Sequence, residues 1–339
     1  MPVLWCGAED IDFPNGVSVF IDTTAGHFRP GYGRCAIYQQ SNGTGNGPLS
    51  KTLAFAGGPV TSAWLSCQIW TNQAWGGALG NQKSIGFGLS GTVKGLFIGT
   101  DAAVPTRLAL CKSDGVTTTQ LAAEPGNSLT LQTAYKLDVQ VVNYGAAATV
   151  NVYLDGAFLF TFSGDVTVAG MANFNSVFLT DAIGVANHIG VSCSEIMVAD
   201  EDTRAFPGLV TMAPSAQGTT DQWTGLFSDV NAIIISDASP NFTNLVAQDQ
   251  QFALTPLPLG VFVIKAVKIA ARSAVSLAPT PTKVALGFNQ GGLVAVGPDQ
   301  ALTTGYETYE QLDSINPVTG NPWVQADLTG LQLNLRSAA

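Results

Sequence analysis

The sequence YKLDVQVVNYGAAATVNVYLDGAFLFTF, residues 135–162, determines the fold class of this chain. On both sides of Asp155-Gly156, apolar side chains alternate with polar or small ones. Alternation with a period of two indicates half-buried strands, because successive side chains of a strand point to opposite faces of a sheet. Asp-Gly supplies the positive φ angles of a tight turn, so the two strands form an antiparallel hairpin. The side chains predicted to point inward are Val150, Val152, Leu154, Phe158, Phe160 and Phe162.

The rest of the chain has the composition of an all-β protein. It contains 37 Gly and 17 Pro in 339 residues, and short apolar runs recur between clusters of Gly, Asn, Pro and Ser. Short strands separated by turn signals are typical of sandwiches and barrels. Only 11% of the residues are charged, against roughly a quarter in an ordinary soluble domain. So little charge favours a protein that covers part of its surface in an assembly.

A change in composition near residue 207 predicts two β domains. A segment rich in charged residues, Pro and Gly follows the predicted strand His188–Val198, and such a segment is typical of a domain boundary. We predict a concanavalin A-like jelly-roll sandwich over residues 1–207, a linker over 208–220 and a smaller C-terminal β-sandwich domain over 221–339. In the second domain we predict a strand over Val261–Ala271, with Lys265 on one face and Lys268 on the other.

The net charge of -10 argues against a nucleic-acid partner, because phosphate backbones are bound by clustered Lys and Arg. The first residues, MPVLWCGAEDIDF, lack the basic and apolar regions of a signal peptide, and no apolar run is long enough to span a bilayer. We therefore expect synthesis in the cytoplasm. Five dispersed cysteines are predicted to be buried free thiols, with oxidation of a pair in a mature particle as the alternative. They are Cys6, Cys35, Cys67, Cys111 and Cys193.

One loop has the composition of a ligand-binding site. The sequence QIWTNQAWGGALGNQ, residues 68–82, places Trp70 and Trp75 beside Asn72 and Asn81. Aromatic faces stack on the C–H faces of sugars while amides bond to hydroxyl groups, so these four residues are the predicted glycan-binding or interface site. We favour the structural interpretation of this loop, in which Trp70 ends a buried strand and Trp75 packs the loop onto the edge of the sandwich.

The sequence predicts neither an enzyme nor a metal or cofactor site. His27 and His188 have no nucleophile-elbow context. Glu195 and Asp138 lie in predicted strands, where a pair of carboxylates for glycoside cleavage is a weaker interpretation than polar positions on a solvated face. The acidic cluster of residues 200–202 lacks the spaced ligands of a calcium loop, and its neighbour Arg204 indicates a turn with a local ion pair.

Two segments carry a resemblance to known families. The sequence VNVYLDGAFLFTF, residues 150–162, resembles the hairpin of concanavalin A-like, laminin-G-type jelly rolls. Residues 194–204, SEIMVADEDTR, then QWTG at 222–225 and DVN at 229–231, resemble a family of tailed-bacteriophage virion proteins. The closing NPVTGNPW at 316–323 also resembles that family. This resemblance implies a jelly roll followed by a second β domain, a place in the virion, and no catalytic residues.

These observations give two functional hypotheses. The first is a structural component of a tailed-phage virion, in the head, neck or tail, that contacts other virion proteins and copies of itself. The second is a carbohydrate-binding adhesin that uses the sandwich to contact glycans of the host surface. A polysaccharide-degrading enzyme is a third and less favoured class.

Overall fold

The computed structural model of the chain is an all-β protein built from antiparallel strands, which confirms the predicted fold class. Its longest described α-helix, α1, spans Phe227–Val230, and no described helix is long and apolar enough to cross a membrane. The structure describes residues 3–7, 20–22, 28–29, 32, 36–38, 49–52, 59–70, 83–89, 92, 94–101, 104, 107–130, 132–179, 192–206, 208–233, 237–238, 240–275 and 281–339.

Contacts divide the chain into two compact units, with unit 1 ending at Leu209 and unit 2 beginning at Val210. Unit 1 is a sandwich of an eight-stranded and a six-stranded sheet. The first has the order β12-β11-β10-β5-β14-β3-β2, with β1 on β14, and the second β4-β13-β6-β7-β8-β9. The strands are β1 Val3–Gly7, β2 Phe20–Asp22, β3 Ala36–Tyr38, β4 Leu49–Thr52, β5 Ala63–Trp70, β6 Lys83–Gly88, β7 Lys94–Thr100, β8 Leu108–Asp114, β9 Thr118–Ala123, β10 Ala134–Val142, β11 Ala148–Leu154, β12 Ala157–Gly164, β13 Ser176–Leu179 and β14 Ser192–Ala199.

The predicted hairpin is present and supplies part of the core of unit 1. Strand β11 pairs with β12, and the turn residues Asp155 and Gly156 have φ angles of 50° and 78°. Both angles fall in the left-handed region that a two-residue hairpin turn requires. Four of the six predicted inward side chains are buried in the cluster between the sheets, and Phe162 is half-buried against it. The four are Val150, Val152, Leu154 and Phe160.

The prediction for Phe158 is wrong. Val152 pairs with Phe160 and Tyr153 with Phe158, so Leu159 is an extra residue in β12. Because the side chains of a strand alternate, one extra residue moves every side chain before it to the opposite face. Leu159 packs against the core instead, and Phe158 is 59% exposed on the outer face of the sheet.

Unit 2 contains a second, smaller sheet system. Its six-stranded sheet has the order β15-β16-β22-β18-β19, with β20 on β18, and β17 pairs with β21 in a two-stranded sheet. Phe252, Leu286, Phe288 and Trp323 lie in its core. The strands are β15 Pro214–Asp221, β16 Asp249–Leu254, β17 Val267–Ser273, β18 Lys283–Gln290, β19 Leu293–Val296, β20 Gln300–Ala301, β21 Glu307–Asp313 and β22 Gln332–Ala338.

Two sequence predictions for unit 2 need correction. Most of the predicted linker 208–220 is a strand, since β15 pairs with β16 from Pro214 onward. The predicted strand Val261–Ala271 is paired only from Val267, where β17 begins. A polar segment that contains glycine can still form an edge strand when a neighbouring strand supplies its hydrogen bonds.

Candidate functional site

The loop predicted from sequence has one member in the described part of the chain. Trp70 is the last residue of β5, and its side chain is 8% exposed, so its ring presents no open face to a ligand. Asn72, Trp75 and Asn81 lie outside the described residues, as do His27, His188 and Cys35. The four described cysteines, Cys6, Cys67, Cys111 and Cys193, are buried free thiols.

The carboxylates considered for catalysis are both engaged in structural contacts. Asp138 is fully buried and accepts a 2.7 Å hydrogen bond from the hydroxyl of Thr203, with the Lys136 ammonium 3.3 Å from its other oxygen. Glu195 accepts a 3.2 Å hydrogen bond from Nε of Arg29, and a 3.3 Å bond from the Leu209 backbone N–H. Among the described residues no group of His, Cys, Asp and Glu could hold a metal ion.

Glu195 sits at a local irregularity of β14. The register between β14 and β5 shifts between Ser194 and Met197, and Glu195 has a φ of 52°. Burial raises the pKa of Glu195 above its usual value, against the lowering effect of the Arg29 hydrogen bond. The carboxylate therefore holds the end of unit 1 to the sheet through Leu209, and its position indicates a structural role.

A cluster on the outer face of the eight-stranded sheet has the features of a binding site. Trp64 and Tyr153 stack at 5.7 Å with an angle of 25° between their rings, and both side chains are buried. Phe158 meets Tyr153 edge-on, with ring centroids 5.7 Å apart and an angle of 73°. We call these three residues the aromatic shelf. Phe158 is its exposed member, placed there by the bulge in β12.

Arg204 and Asp202 border the aromatic shelf. The guanidinium carbon of Arg204 lies 4.3 Å from the ring centroid of Tyr153 and 5.4 Å from that of Trp64, within the range of cation–π attraction. Nε of Arg204 donates to both oxygens of Asp202 at 2.9 and 3.0 Å, and Nη2 donates to the same carboxylate. Their side chains remain 37% and 42% exposed. The predicted local ion pair is thus present, and its guanidinium packs on the two buried rings of the aromatic shelf.

Hydrogen bonds attach the segment that carries this ion pair, residues 202–205, to strand β10. The Asp202 carboxylate accepts from the Arg204 backbone N–H at 2.9 Å and begins a short 3-10 turn over Thr203–Ala205. Nζ of Lys136 donates to the Thr203 carbonyl at 2.8 Å. The hydrogen bonds from Arg204, first among them those of its side chain, lower the pKa of Asp202. Asp202 is therefore ionised at neutral pH, and the pair is held in one orientation.

Unit 2 exposes an apolar stripe of a different kind. Three aliphatic residues are highly exposed: Leu259 at 103%, Val261 at 96% and Val263 at 78%. The alternate residues Phe262 and Ile264 are half-buried. We call the first three the Val261 stripe. The side-chain amide of Gln325 holds its backbone, accepting from Phe262 N–H at 3.0 Å and donating to the Gly260 carbonyl at 3.0 Å. A group of exposed apolar side chains on a backbone held by hydrogen bonds is typical of a protein–protein contact surface.

Sequence patterns gave no indication of the aromatic shelf. Phe158 reads as a core residue because the alternation on both sides of the turn is regular, and no residue type marks the bulge at Leu159. Arg204 lies 51 positions after Tyr153, so their contact depends on the path of the chain after β14. The one available signal was the Asp-x-Arg spacing, which correctly indicated the ion pair.

Comparison with known proteins gives matches among solved structures only, all with low sequence identity. No protein-family model and no curated protein matches the chain. Among solved structures, domain 4 of the extracellular arabinanase AbnA from Geobacillus stearothermophilus, in complex with arabinotriose, is 13% identical with a TM-score of 0.34, over 61% of this chain and 83% of that one. The cellulose-induced protein Cip1 is 14% identical with a TM-score of 0.40, over 58% of this chain and 90% of its own. An endo-β-1,4-glucuronan lyase from the fungus Trichoderma reesei is 10% identical with a TM-score of 0.40, over 59% of this chain and 96% of that chain.

Proposed function

We propose that this protein is a non-catalytic carbohydrate-binding protein whose sandwich contacts glycans through the aromatic shelf. The observation that carries the proposal is the exposure of Phe158, whose ring a strand bulge places on the outer face of the sheet. The ring packs against Tyr153, which on its face also contacts Arg204 of the Arg204–Asp202 ion pair. Bulges occur often next to functional sites, where they redirect one side chain. More than half of the Phe158 residue surface is in contact with water, and we propose that a ligand covers the exposed part of the ring.

The chemistry of the aromatic shelf fits a sugar. An exposed ring can pack on the apolar C–H face of a pyranose, and an ionised carboxylate and a guanidinium accept from and donate to hydroxyl groups. The names of the structures that resemble this chain include sugar-binding and sugar-cleaving proteins. Because those similarities are low, the proposal rests on the residues of the aromatic shelf.

A glycan array tests this proposal. We expect the purified protein to bind a subset of glycans, and Phe158→Ala to abolish or strongly weaken that binding. Val116→Ala is the matched control, because Val116 is also an exposed apolar residue of unit 1, at 95% exposure, and lies in the turn between β8 and β9. An array on which the protein binds nothing, or on which both variants lose binding equally, would refute the proposal.

A second candidate function is assembly into a tailed-phage particle, as the sequence resemblance implies. The observation that favours it is the Val261 stripe, since apolar residues at the centre of protein contacts are excluded from water. We propose that the stripe contacts other virion proteins or further copies of this chain. The two functions are compatible, because the aromatic shelf and the stripe belong to different units.

A further inference from the structure

We infer that Cys67 and Cys193 form a disulfide between strands β5 and β14 when the protein is exposed to a low-molecular-weight disulfide such as oxidised glutathione. We call these two residues the thiol pair. Three observations select this pair: the strands that carry the two residues, the face on which their side chains lie, and the contact between the two thiols. The inference is independent of the proposed carbohydrate-binding function.

The thiol pair lies on neighbouring strands, next to an irregularity. Strand β14 pairs with β5, and Cys193 is opposite Ile69, two residues from Cys67. In a regular antiparallel pair such diagonal neighbours are about 7–8 Å apart, slightly more than the roughly 4.4–6.8 Å between the Cα atoms of a disulfide. Here the register shifts between Ser194 and Met197, so that two residues of β14 are opposite Cys67. Such a bulge bends the strand and increases its twist, and the spacing of a regular ladder does not apply.

Both side chains of the thiol pair lie in the space between the two sheets. They belong to the same hydrophobic cluster, and the two residues are 1% and 0% exposed. The thiols of Cys67 and Cys193 make a hydrogen-bonding contact with each other, so the two sulfur atoms are neighbours in the core. Burial, with a smaller effect of this contact, raises the pKa of Cys67 well above its usual value. The Cys67 thiol is therefore protonated at neutral pH in the reduced protein.

The other described cysteines are out of reach of the thiol pair. Cys6 in β1 is opposite Met197, four residues along β14 from Cys193, which is about 13 Å at 3.3 Å per residue. Strands β1 and β5 lie on opposite sides of β14, so Cys6 is also two strands away from Cys67. Cys111 lies in β8 of the six-stranded sheet and packs in a separate cluster, on the face opposite the core. Both separations exceed the span of a disulfide.

Formation of the bond is a two-electron exchange. One thiol of the pair loses its proton, and its sulfur attacks the small disulfide, which forms a mixed disulfide and releases one half of the reagent as a thiolate. The second sulfur of the pair, also deprotonated, attacks the protein sulfur of the mixed disulfide and releases the other half. The two released thiolates take up the two protons. The protein is thereby oxidised and the reagent is reduced to two thiols.

The bond would connect two adjacent strands in the middle of the eight-stranded sheet. Because both sulfurs are buried, the exchange needs a transient opening of the sandwich and is slow in the folded protein. The loop that the bond closes, residues 67–193, restricts the unfolded chain, so the oxidised protein should be more stable than the reduced one. Disulfides persist in oxidising surroundings and are rare in the cytoplasm, so the bond belongs to the protein outside the cytoplasm.

Refolding of the full-length protein in a glutathione redox buffer tests this inference, because the thiols are accessible in the unfolded chain. The protein is unfolded in urea and refolded at about pH 8.5, where thiolates are available. Remaining thiols are then alkylated, and linked peptides are identified by mass spectrometry. We expect the bond of the thiol pair to be the main product, and to be enriched at least about tenfold over the same protein kept in urea, because only the folded chain holds these two sulfurs together. The urea midpoint of the oxidised protein should be higher than that of the reduced protein.

Two variants identify the residues responsible. Cys193→Ala should lose both the linked peptide and the increase in the urea midpoint. Cys111→Ala is the matched control, since it also removes a buried cysteine of unit 1 and should keep both. Thermal unfolding of the reduced variants checks that each is folded, and the comparison of refolded and urea-held wild type does not depend on them. A main product that involves Cys6, Cys35 or Cys111, or no enrichment over the sample kept in urea, would overturn the inference.

Discussion

At the scale of single residues, buried ionisable side chains hold the outer part of unit 1 in place. Asp138 and Lys136 fix the 3-10 turn that presents Arg204 and Asp202, through the Thr203 hydroxyl and carbonyl. Glu195 holds Leu209, the last residue of unit 1, and has Arg29 as its ion-pair partner. None of these contacts was visible in the sequence, because the partners are separated by 14 to 166 positions.

Glu195 gives a prediction of pH dependence. Burial is the largest effect on this group and raises its pKa above the usual 4.5, so the folded state holds the proton more tightly than the unfolded state. Its contribution to stability is therefore fully present below about pH 4.5 and is lost as the pH rises through the pKa of the folded state. A glutamine at this position does not titrate.

We expect the unfolding free energy of the wild type, relative to that of Glu195→Gln, to decrease from about pH 4 to about pH 7. Urea denaturation of both proteins across this range measures it. A difference that increases with pH would mean that the Arg29 ion pair outweighs burial, and a constant difference would mean that the two effects cancel; either result would contradict the prediction.

At the scale of elements, regular alternation predicted the sandwich and failed where one residue interrupts it. The Asp155-Gly156 turn and most of the inward side chains of β11 and β12 were predictable, because turn chemistry and alternation are local. The bulge at Leu159 was not predictable, because the sequence FLF at residues 158–160 fits a continuous strand as well as a bulged one. The same limit applies to residues 261–266, whose alternation is strand-like although pairing begins at Val267.

Because of the bulge, two similar substitutions in β12 should differ strongly in their effect on the unfolding free energy. Phe160→Ala should destabilise unit 1 by about 3–5 kcal/mol, because it removes a buried ring and leaves a cavity in the core. Phe158→Ala should change stability by no more than about 0.5 kcal/mol, since its ring is mostly in water. Chemical denaturation of the two variants measures both values. Equal destabilisation would show that the register across the bulge is incorrect.

At the scale of the whole molecule, low charge and the Val261 stripe predict self-association or attachment to a partner. Only 11% of residues are charged, and the stripe consists of aliphatic side chains. Association through apolar contacts should persist at high salt, because screening mainly weakens exposed charge pairs. We expect the purified protein to be multimeric in light scattering at low and high salt, and Val261→Glu to shift it toward the monomer.

Val116→Glu is the control for this experiment, since it adds the same charge at an exposed valine of unit 1. A chelator should leave the multimer intact if no metal is needed for folding. A wild-type protein that stays monomeric and binds no virion protein would contradict the assembly proposal.

The exposed ring of Phe158 is the part of the molecule that we propose binds a sugar. The most direct measurement is calorimetric titration of an oligosaccharide that binds on the array into the wild type and into Phe158→Ala. We predict measurable binding by the wild type and a loss of about tenfold or more in the variant, with unchanged stability. That loss is within the effect of removing an aromatic contact. Equal affinity of the two proteins would contradict the claim.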